Sequence, residues 1–118
     1  MKQSFPKSEK LCSQIAISHT FKKGDKYFKY PFRMYVVPNN SETTKVLISV
    51  PKKMQKLAVS RNRLKRLTRE AYRLHKNSYI NSEKQSCNIA FVYLSKEIVN
   101  SEIIHQSIEF LLKKIKTE

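Results

Sequence analysis

The chain has 118 residues, of which 40% are hydrophobic and 28% charged, and its 24 Lys and Arg against 9 Asp and Glu give a formal net charge of +15. This length predicts one domain, residues 1–118, with a single core, and the composition excludes a disordered chain. So high a charge is typical of a nucleic-acid binder, although an anionic membrane or an acidic protein would also match it. Because no apolar run approaches the ~20 residues of a transmembrane helix and the N-terminus lacks a signal-peptide pattern, we expect a cytoplasmic protein.

The first elements predicted are a basic arm and a helix. Residues 1–7 form the expected flexible arm. Ser8, followed by the acid Glu9, is a plausible cap for a helix over roughly residues 9–19. Gly24, the only glycine, predicts a turn with a positive φ.

The pattern then changes to a period of two, which is typical of strands. It predicts strands over residues 26–30, 32–37 and 45–50, joined by short loops in an antiparallel meander. Phe32 and Tyr35 lie on opposite faces of the second strand, so they cannot share one core. The aromatic residues here are interleaved with Lys and Arg. That composition fits either core packing or a surface that stacks unpaired bases.

The stretch from Ala58 to Lys76 predicts a helix with two contrasting faces. Its apolar stripe, predicted to pack on the core, consists of Leu64, Leu67, Ala71 and Leu74. Its opposite face concentrates cations, namely Arg61, Lys65, Arg66, Arg69, Arg73 and Lys76. Charge of one sign repels itself unless a polyanion offsets it, so we interpret this face as a polyanion-binding surface. A basic but solvated face is the alternative.

The last third of the chain predicts a strand and a helix. Residues 88–94 are apolar on both faces, which predicts a strand inside the sheet and covered by helices. Asn100 or Ser101 can cap a final helix with Glu102 in its first turn. The element order is therefore αβββαβα, an α+β sandwich of one sheet and its helices.

The sequence carries no pattern of a metal site or of a catalytic site. The two cysteines and three histidines, Cys12, Cys87, His19, His75 and His105, lack metal-ligand spacing. No nucleophile motif or glycine-rich phosphate loop is present in the sequence. We therefore predict no catalytic residue and no protein-bound metal on this chain.

Two neighbouring stretches together resemble the protein subunit of bacterial ribonuclease P. They are KVLISVPKK at residues 45–53 and AVSRNRLKRLTREAYR at residues 58–73. The family has a strand ending in a Ser-Val-x-Lys-Lys type sequence, followed by a helix of the form Arg-Asn-Arg-x-Lys-Arg-x-x-Arg. The family commonly has a Gly-Asn pair before this helix, where the present chain has Gln55, Lys56 and Leu57.

The resemblance implies a fold and an activity. The implied fold is a single-domain αβββαβα sandwich with a mixed four-stranded sheet and a left-handed βαβ crossover. The implied activity is assistance to a catalytic RNA, which removes the 5′ leader of precursor tRNA by metal-assisted hydrolysis. The implied partners are that RNA subunit and precursor tRNA, with Mg²⁺ expected for the holoenzyme and no obligate protein partner evident.

The resemblance also implies which residues bind RNA. Contact with the RNA subunit is implied for Arg61, Asn62, Arg63, Lys65, Arg66, Arg69, Lys52 and Lys53. A cleft between the first helix and the open face of the sheet holds the leader in the family, which implies contacts by Leu11, Ile15, Phe32 and Tyr35. The alternative is a general single-stranded-RNA or ribosome-associated module without a ribozyme partner. An anionic-membrane surface would need large apolar residues bordering the exposed face, which the helix supplies only modestly.

Overall fold

A computed structural model describes residues 10–11, 13–39, 44–79 and 86–116. It confirms the predicted element order, with α1 Gln14–Lys23, β1 Asp25–Lys29, β2 Phe32–Pro38, β3 Lys45–Ser49, α2 Ala58–Tyr79, β4 Cys87–Tyr93 and α3 Ser101–Lys116. The predicted arm over residues 1–7, the predicted cap Ser8 and Cys12 lie outside the described residues.

The four strands form one mixed sheet in the order β1-β2-β4-β3. β2 pairs antiparallel with both β1 and β4, whereas β3 pairs parallel with β4. The predicted meander is wrong, because β4 lies between β2 and β3. The apolar character of β4 on both faces explains this order, since the central position is the one that buries both faces. α2 connects the parallel neighbours β3 and β4, and the left-handedness of this crossover stays a prediction.

Helices cover the two faces of the sheet unequally. Phe32, Met34 and Phe91 point to one face and are fully buried in a core shared with α2 and α3. Side chains that alternate with them point to the other face, where α1 lies. There Phe21 of α1 meets Tyr35 of β2 edge to face, with ring centroids 4.8 Å apart. α2 and α1 are therefore on opposite sides of the sheet.

α1 begins later in the chain than predicted. Ser13 is the N-cap, and its Oγ accepts a hydrogen bond from the Ala16 amide at 3.3 Å. Lys10 and Leu11 precede the helix as extended chain along β3, where the Leu11 amide donates to the Val46 carbonyl at 2.9 Å. This edge pairing excludes residues 10 and 11 from a helix.

Gly24 ends α1 with φ −68° and ψ 149°, so the predicted positive φ is wrong. The glycine is needed for a close backbone approach instead. A Cβ at this position would overlap the Thr20 carbonyl oxygen and would lie 3.2 Å from the Val36 amide nitrogen and carbonyl oxygen.

α3 completes the core and starts as predicted. The Asn100 Oδ1 accepts a hydrogen bond from the Ile103 amide at 3.0 Å, and Glu102 lies in the first turn. The apolar side of α3 is buried at Ile104, Ile108, Leu111 and Leu112. In the part of the chain described, none of the helices has the length and apolarity needed to cross a membrane.

Candidate RNA interface

α2 turns one side to the core and the other to solvent. Leu64, Ala71 and Tyr72 are buried, and Tyr72 packs near Phe91 with ring centroids 6.3 Å apart. Leu74, predicted for this stripe, is 45% exposed, so that part of the prediction is wrong. The buried side of α2 includes Tyr72 instead of Leu74, because α2 packs against α3 as well as against the sheet.

The solvent side of α2, here called the cationic face, brings most of the predicted RNA-contacting side chains together. Its exposed members are Asn62, Arg63, Arg66 and Arg69. Lys65 is half-buried on the same helix. A shallow groove of about 230 Å³ on this face is lined by Arg66, Arg69, Glu70 and Arg73. Guanidinium groups present forked donors that match phosphate oxygens, so this groove suits a sugar-phosphate backbone.

Arg61 has a different environment from the other arginines of α2. Its Nη1 donates hydrogen bonds to the carbonyl oxygens of Gln55 at 3.0 Å and of Lys56 at 2.9 Å. Gln55 is itself 6% exposed, and its Nε2 donates to the Ser95 carbonyl oxygen at 3.1 Å. Arg61 therefore holds the loop between β3 and α2 in place. Helical spacing alone does not reveal this role, because it does not distinguish one cation from another on the same face of the helix.

Lys52 and Lys53 are exposed in the loop that precedes α2. The loop turns through hydrogen bonds to the Pro51 carbonyl, including one from the Met54 amide at 3.0 Å. Lys53 lines a cleft together with Ser60 of α2, so this cation lies at the start of the basic helix. The two lysines thus extend the positive surface from the helix into the loop.

The face of the sheet opposite α2, here called the open sheet face, carries a second group of aromatic and basic side chains. Tyr35 is half-buried there against Phe21. Phe28 is 57% exposed and pairs across the β1–β2 hairpin with Arg33, which is also exposed. Arg33 lies between the buried residues Phe32 and Met34, and Phe28 is its partner across the hairpin, so both share the face of Tyr35. The sequence reasoning missed Phe28 and Arg33, although the hairpin register would have placed them together.

The other residues implied for leader contact differ in exposure. Ile15 lies on α1 and is 84% exposed. Leu11 is 4% exposed and Phe32 is fully buried, so neither presents a surface to a base. Leu11 is buried because it precedes the helix and pairs with β3, and Phe32 because it points to the core face. For these two side chains, direct leader contact is not supported by the fold.

Two buried groups in the core, Cys87 and Tyr93, have raised pKa values. Burial raises the pKa of the Cys87 thiol above its ordinary value of 9.0, partly opposed by a hydrogen bond with Thr44. Burial likewise raises the pKa of Tyr93 above 10.0. Within the described ranges, no three His, Cys, Asp or Glu side chains are grouped as metal ligands.

Comparisons with known proteins agree on one family. The family model described as Ribonuclease P matches residues 5–116. The ribonuclease P protein component of Porphyromonas gingivalis is 33% identical over 115 residues, covering 92% of this chain and 84% of the relative. That of Clostridioides difficile is 32% identical over 111 residues, covering 93% and 94%.

Solved structures show the same similarity. The RNase P protein of Staphylococcus aureus has a TM-score of 0.78 and 28% identity, covering 93% of this chain and 97% of that one. The RNase P protein of Thermotoga maritima has a TM-score of 0.76 and 25% identity, covering 91% and 97%. Both comparisons extend over nearly the whole of each chain.

Proposed function

The chain belongs to the ribonuclease P protein component family, the RNA-binding subunits of ribonuclease P, and on this premise we propose how its two surfaces divide the binding of RNA. The cationic face of α2 docks on the RNA subunit. The open sheet face and α1 hold the single-stranded 5′ leader of precursor tRNA. The observation that carries this proposal is the presence of two RNA-compatible surfaces on opposite sides of one sheet.

The cationic face suits a folded RNA partner. Arg66, Arg69 and Arg73 lie around one groove, where they can bind neighbouring phosphates. Asn62 and Arg63 extend the same exposed surface, and Asn62 adds a donor and an acceptor that can reach a base or a ribose hydroxyl. If about six cations contact phosphates, the affinity falls with a log–log salt slope near −5.

The open sheet face suits an unpaired strand. Tyr35 and Phe28 offer aromatic surface, and Arg33 lies directly across from Phe28 in the hairpin. Unpaired bases stack on aromatic side chains while cations hold the backbone, and this mode tolerates any sequence. Ile15 on α1 supplies an exposed apolar side chain that can contact the same RNA strand. A precursor-specific role follows, because mature tRNA has no leader.

We assign the chemical step to the RNA subunit. The described part of this chain supplies positioning and charge, and the residues named above include no nucleophile paired with a base. The Mg²⁺ that the family resemblance implies would serve the phosphodiester hydrolysis at the RNA site, and we assign it no ligand on this chain. Processing of precursor tRNA would place the complex in the cytoplasm.

Reconstitution with the RNA subunit of the same organism and a 5′-labelled precursor tRNA tests this proposal. The double variant Arg66→Ala/Arg69→Ala removes two exposed guanidinium groups from the cationic face. We expect it to bind the RNA subunit at least tenfold more weakly, with a salt slope shallower by about two. Leader cleavage at low Mg²⁺ falls in parallel and recovers at high protein concentration.

The matched control is Lys113→Ala/Lys114→Ala, which removes the same charge from α3. Cations near a helix C-terminus are favoured by the helix dipole, which accounts for their position without RNA. This control should assemble within twofold of the wild type. Normal assembly by the Arg66/Arg69 variant would refute the assignment of the cationic face. If the protein instead increases the affinity of the RNA subunit for precursor and mature tRNA equally, a general RNA-binding module is favoured.

A further inference from the structure

A second cleft lies beside the N-terminus of α2, between the loop that precedes α2 and the loop that precedes α3. It has a volume of about 690 Å³, within the ~300–1,000 Å³ of small-ligand sites. One wall consists of Lys53, Met54, Gln55, Lys56, Leu57 and Ser60. The other consists of Lys96, Glu97 and Ile98. We call this feature the two-loop cleft.

The walls of the two-loop cleft are tied to each other. Gln55 from one loop donates to the Ser95 carbonyl oxygen of the other at 3.1 Å, and Gln55 is buried. Arg61 secures the same loop by its two hydrogen bonds to main-chain oxygens. On the second wall, the Ser95 Oγ accepts a hydrogen bond from the Glu97 amide at 3.0 Å. The cleft is therefore formed before any ligand arrives, which lowers the entropic cost of binding.

The lining combines exposed apolar surface with positive charge. Leu57 is 70% exposed and Ile98 is 53% exposed, although both are large aliphatic residues that folding normally buries. The lining has a net charge of +2, because it contains three lysines, Lys53, Lys56 and Lys96, and one acidic residue, Glu97. A flat apolar group that carries a negative charge matches this combination.

The start of α2 adds further donors at the same place. Ala58 opens the helix, and Leu57 before it has no side-chain oxygen to cap the first amides. The first turn also contains no acidic residue. The positive end of the helix dipole is thus left to solvent at the rim of the cleft, where it favours a phosphate.

We propose that the two-loop cleft holds one unpaired nucleotide of the RNA subunit, with its base against Leu57 and Ile98 and its phosphate near Lys56 and Lys96. This inference rests on the proposed function, since it concerns the same RNA partner. It adds the loop before α3 to the docking surface, which the family resemblance did not implicate. A second copy of this chain is the less suitable occupant, because the lining and the whole protein are both positively charged.

The affinity test compares two single variants with two controls in the full-length protein. Ile98→Ser removes apolar surface without changing charge, and Lys96→Ala removes one charge. We expect each to weaken binding of the RNA subunit five- to twentyfold, and only Lys96→Ala to reduce the salt slope, by about one. The controls Ile103→Ser and Lys113→Ala change exposed residues of the same types on α3 and should bind within twofold of the wild type.

A photocrosslink locates the contact directly. Ile98→p-benzoylphenylalanine, irradiated in the holoenzyme, should give one dominant reverse-transcription stop at an unpaired nucleotide of the RNA subunit. The same replacement at Phe110, which is 38% exposed on α3, should not give that stop. Crosslinks confined to duplex RNA, or to a second protein copy, would overturn the proposal.

The test separates this inference from the proposed function. Wild-type affinity in both cleft variants, together with lost affinity in Arg66→Ala/Arg69→Ala, would refute the two-loop cleft and leave the cationic face in place. Failure of the wild-type protein to prefer the RNA subunit over unrelated RNA would refute both. All variants should unfold at the wild-type temperature, which would show that the differences arise in binding.

Discussion

Replacing Arg61 should destabilise the free protein, which sets this residue apart from the other arginines of α2. Its Nη1 makes two hydrogen bonds, at 3.0 and 2.9 Å, to the carbonyl oxygens of Gln55 and Lys56. A net ~0.5–1.5 kcal/mol for each bond predicts a loss of about 1–3 kcal/mol for Arg61→Ala. At this chain length, that loss lowers Tm by roughly 3–5 °C per kcal/mol.

Urea unfolding of the isolated protein measures this loss without RNA. Arg66→Ala serves as the matched control, because it removes a guanidinium group that is exposed on the same helix; its stability should stay within ~0.5 kcal/mol of the wild type. Arg61→Lys keeps the charge but loses the forked donor, so its stability should lie between those of Arg61→Ala and the wild type. If Arg61→Ala unfolds at the wild-type urea midpoint, the argument that Arg61 organises the loop is wrong.

Three further predictions concern other parts of the molecule. Phe28→Ala should weaken binding of a leader-containing RNA by roughly five- to hundredfold, measured against mature tRNA, whereas Phe110→Ala should not. Gly24→Ala should cost about 1–3 kcal/mol in urea unfolding, because its Cβ overlaps the Thr20 carbonyl oxygen; unchanged stability would contradict that packing. Burial raises the pKa of Cys87 above 9.0, so the unfolded chain loses this proton first and stability should fall as pH rises above about 9. Cys87→Ala should flatten that decline, and an unchanged pH profile would show that the thiol does not cause it.

The existence of the elements could be predicted from the sequence, but the pairing of the strands could not. Periodicity located β3 and β4 closely, since alternation and continuous apolar runs are local properties. Short loops favour a meander, but strand pairing depends on which strand can bury both faces. The apolar character of residues 88–94 already pointed to the centre of the sheet. It does not indicate which two strands lie beside β4, since pairing partners are not a local property of the sequence.

The predicted start of α1 is wrong for a related reason. Ser8 and Glu9 form a plausible local cap, yet Lys10 and Leu11 extend along β3 instead. Tertiary pairing with a distant strand thus overrides the local preference for a helix, because such preferences are weak compared with tertiary contacts. Gly24 shows the same limit, because a backbone approach between two elements leaves no trace in the residues beside it.

The candidate site was predicted unevenly. Charge sorting and the family resemblance identified the cationic face, since like charges on a helix are visible in the sequence. The hydrogen bonds of Arg61 to the loop before α2 and the burial of Leu11 against β3 could not be predicted, because helical spacing does not describe contacts with other parts of the chain. Phe28 and Arg33 were missed although the hairpin register places them side by side.

The central position of β4 has a consequence for how this protein is made. β2 and β3 do not pair with each other, so each lacks its inner neighbour until residues 87–93 are inserted between them. The N-terminal three quarters of the chain therefore cannot assemble the sheet during synthesis. Because β2 carries the open sheet face and β3 leads into α2, the two proposed RNA-binding surfaces take up their relative position only when β4 is in place. A nascent chain still short of β4 thus carries much of its positive charge before the proposed binding surfaces are assembled.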